Sequence, residues 1–79
     1  MDTIHELKIA PEYFADVYLG LKTFELRKND RDYKPCDLLR LREYDGEFTG
    51  RETCRTITYI LKDVPEFGLM DGYVILGMK

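Results

Sequence analysis

The chain is 79 residues long, 44% hydrophobic and 34% charged, so residues 1–79 form one domain of ordinary globular composition. A chain this short buries only roughly 60% of its unfolded surface, which excludes a deep closed cavity and leaves a groove or shallow pocket as the realistic site. The net charge of −3 excludes indiscriminate attraction to phosphate, yet it hides a gradient: residues 1–16 hold one lysine against four acids, and residues 20–34 hold five bases against three acids.

Leu7 and Ile9 alternate with Glu6 and Lys8, the period-2 signature of a half-buried strand over Ile4 to Ile9. His5 shares their parity and is expected to pack, not to act as a ligand or base. Pro11 suits the first turn of a helix and Glu12 complements its positive end. Phe14, Val17, Tyr18 and Leu21 fall on one helical stripe, and Gly20 is a natural left-handed stop.

From Thr23 the period returns to two, with Phe24 and Leu26 facing one way and Glu25 and Arg27 the other. Lys28 to Asp37 reads as a polar loop. A third strand alternates Leu39 and Leu41 with Arg40 and Arg42. After turns at Asp45-Gly46 and Gly50, a fourth alternates Ile57, Tyr59 and Leu61 with Thr56 and Thr58, which makes a hairpin with a long tip.

A connector with Pro65, Gly68 and Gly72 leads to the last strand, Tyr73 to Met78, whose Val74-Ile75-Leu76 run predicts burial on both faces. Five short strands and one helix, mainly β within the α+β class, are best satisfied by a partly closed five-stranded barrel flanked by the helix.

Two cysteines are too few for the disulfide framework of a small secreted domain, which predicts a reducing, cytoplasmic setting. Cys54 reads as a small core residue and Cys36 as a loop thiol. With one histidine and no CxxC spacing, no structural zinc set assembles, and neither a metal nor another cofactor is expected. The opening six residues lack the basic and apolar regions of an export signal. No segment approaches the roughly 20 apolar residues of a membrane span, so a soluble protein without a membrane partner is expected.

Between Gly20 and Arg31 six charged side chains and one amide crowd around Phe24 and Leu26. Charge crowded in this way costs free energy unless water or a partner takes it, so the stretch is the candidate binding surface. On a strand Glu25 and Arg27 share a face about 6.6 Å apart, whereas Lys22 reaches Glu25 only if the turn after Gly20 curls back. In a binding reading Lys22, Arg27, Lys28 and Arg31 neutralise phosphates, Glu25 and Asn29 read the edges of unstacked bases, and Tyr33 and Tyr44 offer stacking faces. The plainer alternative is a solvated Glu25–Arg27 pair with both tyrosines in the barrel rim.

Gly20, Lys22, Glu25 and Arg27 spell GxKxxExR at a helix-to-strand junction. With the strand order, this resembles the ASCH domain (activating signal cointegrator homology). The likeness is strongest to a bacterial and phage branch that shares His-Glu-Leu-Lys (5–8), Lys-Thr-Phe-Glu-Leu-Arg-Lys-Asn-Asp-Arg (22–31), Leu-Arg-Glu-Tyr-Asp (41–45) and Gly-Tyr-Val (72–74). The resemblance implies a PUA-like barrel and RNA binding. It departs at Cys36, where relatives usually carry glycine, so a tighter turn or an exposed thiol is expected there.

Some small ASCH-like proteins are amidohydrolases of N4-acylated cytidines, and the resemblance then implies Lys22 as the catalytic residue; their glutamate comes from a longer segment before the last strand than the ten residues Lys62 to Asp71 here, where Glu66 is the carboxylate available beside Glu25. Those enzymes carry threonine at the position of Glu25. A carboxylate beside the lysine also opposes the deprotonation that such chemistry needs, so the hydrolase ranks second to RNA or nucleotide-like ligand binding. A protein-interaction module, using barrel edges or the arm from Asp45 to Arg51, ranks third.

Overall fold

The computed structural model describes residues 3–79; Met1 and Asp2, part of the opening read for an export signal, lie outside the described residues. In chain order the elements are β1 (Ile4–Ile9), α1 (Pro11–Tyr18), β2 (Phe24–Lys28), β3 (Leu38–Tyr44), β4 (Phe48–Leu61), a 3-10 turn (Pro65–Phe67) and β5 (Tyr73–Met78). The strands form one mixed sheet in the order β1-β3-β4-β5-β2, parallel only between β1 and β3. The fold is therefore α+β, with five strands and one helix.

The expected barrel is not closed by backbone hydrogen bonds: β1 and β2 are the two edges of the sheet. What curls it is β4. Between Ile57 and Tyr59 one extra residue, Thr58, breaks the register with β5, and such a bulge bends a strand and sharpens its twist. The first part of β4 pairs with β3 and the last part with β5, so the two halves of the sheet wrap around a common core. Leu39, Leu41, Ile57, Val74 and Leu76 are almost fully buried there. The bulge also reverses the phase, turning Tyr59 and Leu61 outward and Ile60 inward, against the simple alternation.

The helix covers one end of this core through Phe14 and Val17 only; Tyr18 and Leu21, expected on the same stripe, are exposed. Its last turn is tied down by Arg55, whose guanidinium donates to the Val17 carbonyl at 3.1 Å. At the other end of the hairpin the turn is shorter than expected, because β4 starts at Phe48, paired with Tyr44. Cys54 faces outward and is exposed, since its partner Arg40 lies on the outer face of β3.

Candidate functional site

The site begins where α1 ends. Gly20 adopts φ 78°, a left-handed value that glycine tolerates without strain. The amides of Leu21 and Lys22 then both donate to the Asp16 carbonyl, at 2.9 and 3.0 Å. This is the curl needed to return Lys22 to the strand. Its ammonium donates to Glu25 Oε1 and to the Phe24 carbonyl, each at 2.7 Å.

On β2 the polarity of the strand is inverted. Glu25 is only 4% exposed, whereas Phe24 and Leu26 are 48% and 55% exposed. Glu25 pairs with the fully buried Leu76 and Arg27 with the fully buried Val74, so the ionic residues stand on the inner face. Arg27 holds Glu25 Oε2 through Nε at 3.1 Å and Nη2 at 2.9 Å, and Nη2 also donates to the Lys8 carbonyl at 2.7 Å. A buried carboxylate is tolerable only with such partners, and an ion cluster like this is weak evidence for stability and fair evidence for function.

The contact to Lys8 crosses from β2 to β1, so the edges of the sheet are joined by side chains where backbone pairing is missing. Arg31 makes the second crossing, to the Glu6 carbonyl at 2.7 Å. The gap between the edges is a cleft of about 510 Å³ lined by Lys8, Ile9, Tyr13, Lys22, Phe24, Glu25 and Arg27 among others. Beyond Arg27 it continues as a second hollow of about 450 Å³ lined by Glu6, Lys8, Arg27, Arg31 and Phe48. Each part sets three cations against one acid, on a chain of net charge −3.

The donors are not exhausted. Lys22 uses two of three ammonium hydrogens, and among the described residues nothing accepts from Arg27 Nη1. The Lys22 ammonium also lies 4.9 Å from the Phe24 ring centre and 5.5 Å from that of Tyr13. The cleft therefore pairs a floor of charged hydrogen-bond donors with half-exposed aromatic walls.

Of the residues singled out in the sequence, Lys22, Glu25, Arg27 and Arg31 come together here. Lys28 borders a small neighbouring hollow with Arg27 and Arg31. Asn29 is exposed, and its backbone N–H ties the loop to the Gly72 carbonyl at 2.9 Å. Tyr33 has no face to offer: it is buried against His5, with ring centres 4.7 Å apart, and burial raises its phenol pKa. Tyr44 is half-buried and already carries the Lys8 ammonium 4.3 Å from its ring centre, with Phe48 edge-on at 5.2 Å. Glu66 is exposed in the 3-10 turn and is not among the residues lining the cleft. Lys8 and Tyr13 were not singled out, because nothing local reveals that β1 and β2 meet across a gap.

Two further carboxylates are buried away from the cleft. Asp37 accepts from His5 Nε2 at 2.8 Å and from the amides of Thr3 and Lys34, contacts that lower its pKa, the histidine foremost. Glu43 is clasped by Arg51 through Nε at 2.9 Å and Nη2 at 2.6 Å and by the Thr49 hydroxyl at 2.8 Å, which lowers its pKa likewise. Among the described residues no cluster of His, Cys, Asp and Glu could hold a metal ion, and no helix is long and apolar enough to cross a membrane.

Comparison with known proteins gives one family and one curated relative. The chain is 40% identical over 77 residues to an uncharacterised 12.9 kDa protein in the GpA 3′ region of Escherichia phage P2, an alignment covering 96% of this chain and 68% of that protein. Residues 4–78, from the first residue of β1 to the last of β5, match the domain of unknown function DUF3850, and the chain belongs to that family.

Proposed function

We propose that the cleft between β1 and β2 binds RNA, or a nucleotide-like ligand, with a base held between Tyr13 and Phe24 and phosphates met by Arg27, Arg31 and Lys8. The observation that carries this reading is the convergence of Lys22 and Arg27 on buried Glu25, with donors to spare, at the floor of an open, aromatic-walled groove. Stacking on an aromatic wall is worth about 1–3 kcal/mol per base, and the adjoining cations supply the salt-dependent remainder. The likeness to the ASCH domain, carried by Gly20, Lys22, Glu25 and Arg27, supports the same reading. Its setting on this view is the cytoplasm, where Cys36 and Cys54, both free and exposed, stay reduced.

Fluorescence anisotropy with a labelled single-stranded RNA tests it. Binding in the micromolar range or tighter is expected, falling about tenfold or more in Lys22→Ala and Arg27→Ala. The slope of log affinity against log salt is expected near −1.4 to −2.1, about 0.7 for each of two or three phosphates. Unchanged affinity in both variants removes the cleft from consideration. The second reading, hydrolysis of N4-acylcytidines, draws on Lys22 and Glu25 lying together in the same cleft; turnover abolished by Lys22→Ala would favour it over simple binding.

A further inference from the structure

The cleft and the hollow beyond it meet at two side chains. Of the residues that line them only Lys8 and Arg27 belong to both, and both are cations. Their donors are open. Among the described residues the Lys8 ammonium has no hydrogen-bond or ion-pair partner and rests 4.3 and 5.9 Å from the ring centres of Tyr44 and Phe48, while Arg27 keeps Nη1 unused. The neighbouring acids do not cancel them: Glu25 sets one charge against Lys22 and Arg27 together, and Glu6 is engaged by Arg40 and Arg42.

Aromatic rings flank this cationic junction on either side. Tyr13 and Phe24 line the first hollow and Phe48 the second. Phe48 is 42% exposed, yet it is held in place. The Arg42 guanidinium, itself bonded to Glu6 Oε1 at 2.6 Å, lies 3.8 Å from its ring centre, and Tyr44 meets it edge-on at 5.2 Å. A ring fixed before binding loses little freedom when a base stacks on it.

Resting on the nucleic-acid reading of the cleft, we infer that the unit it takes is one step of single-stranded RNA, two nucleosides joined by a phosphodiester, and not a free nucleotide. The linking phosphate meets Lys8 and Arg27, one base enters between Tyr13 and Phe24, and its neighbour stacks on Phe48. The order aromatic, cation, aromatic along the groove matches the order base, phosphate, base along a strand.

The spacing agrees. Arg27 and Arg31 are anchored on the carbonyls of Lys8 and Glu6, two residues and about 6.6 Å apart on β1. That is about the length of one nucleotide in an extended strand, so Arg31 lies where the next phosphate falls. A duplex does not fit, because stacking on protein rings needs bases splayed out of their helix. A free nucleotide leaves Phe48 and Arg31 without a part.

Displacement of a labelled single-stranded RNA by unlabelled competitors tests the inference, with the four nucleoside 5′-monophosphates and the sixteen dinucleotides NpN each supplied as an equimolar mixture. The dinucleotides are expected to compete at about tenfold lower concentration, through the second stacked base. Charge runs the other way, since a monophosphate carries roughly −2 and a dinucleotide of this kind about −1. Phe48→Leu, which keeps an apolar side chain at the hairpin tip, is expected to shrink the advantage to about twofold or less and leave competition by the monophosphates unchanged, whereas Phe48→Trp keeps it. Dinucleotides no better than monophosphates, or an advantage that persists in Phe48→Leu, overturn the inference while the affinity of the cleft for RNA stands. The comparison of ligands on the unaltered protein decides alone if Phe48→Leu fails to fold. Absence of any RNA binding overturns the reading of the cleft and the inference together.

Discussion

Glu25 and Glu43 are both almost fully buried glutamates held by an arginine, yet their surroundings differ. Arg51, which clasps Glu43, is itself 64% exposed and lies with its guanidinium 5.1 Å from the Phe14 ring centre, so the pair fastens the β3–β4 hairpin against the helix. Lys22 and Arg27, which hold Glu25, are mostly buried at the floor of a cleft and keep donors unused. The same chemistry thus serves once as a fastening and once as a receptive surface. What separates them is whether the cations meet a wall of the protein or a gap between two sheet edges.

The largest expected effect comes from Glu25→Ala, which strands two desolvated cations. Stability should fall by about 3 kcal/mol in denaturant titrations, with RNA affinity lost in the folded fraction. Glu43→Gln should lower the melting temperature by less and leave RNA affinity untouched; if it weakened binding equally, the contrast between the two glutamates would collapse.

Acid titration sharpens the comparison further. Asp37 and Glu43 have folded pKa values below their ordinary ones, so their stabilisation is fully present above the unfolded values near 4 and is lost as pH falls through the depressed folded values. Unfolding monitored from pH 7 to 2 should show stability level down to about pH 5 and declining below about pH 4, with a shallower decline in Asp37→Asn.

The smallest effect concerns a position with no bearing on either glutamate. Cys36 sits at φ 76° in the turn Lys34-Pro35-Cys36-Asp37, closed by the Asp37 amide on the Lys34 carbonyl at 3.1 Å. That is the third residue of a type II turn, a place for glycine. Relief of left-handed strain, partly offset by greater freedom of the unfolded chain, should make Cys36→Gly more stable by about 0.5 kcal/mol.

Where periodicity follows burial, the sequence is a reliable guide: β1 and β5 occupy the expected residues, and His5 packs as its parity predicts. It misleads on β2, because alternation only says which residues share a face. Glu25 and Arg27 win the inner face through partners contributed by Gly20-Leu21-Lys22 and by β1, and those lie outside any local window. It misleads again past Ile57, where a single unpaired residue reverses the phase and leaves Tyr59 in solvent. Of the site, the cluster from Lys22 to Arg31 is legible as crowded charge. Its opposite wall, Lys8 and Tyr13, emerges only when the sheet curls, and Tyr33 looked available because a loop residue gives no sign that it will fill the core beside His5.

The two arginine crossings bear on how the molecule avoids sticking to others. An exposed strand margin with vacant carbonyls is a template on which neighbouring molecules add strands and precipitate. On β1 the alternate oxygens of Glu6 and Lys8 are capped by guanidinium groups, so the margin is satisfied without being zipped shut. A chain lacking Arg31 should keep its fold and yet clump more readily on storage.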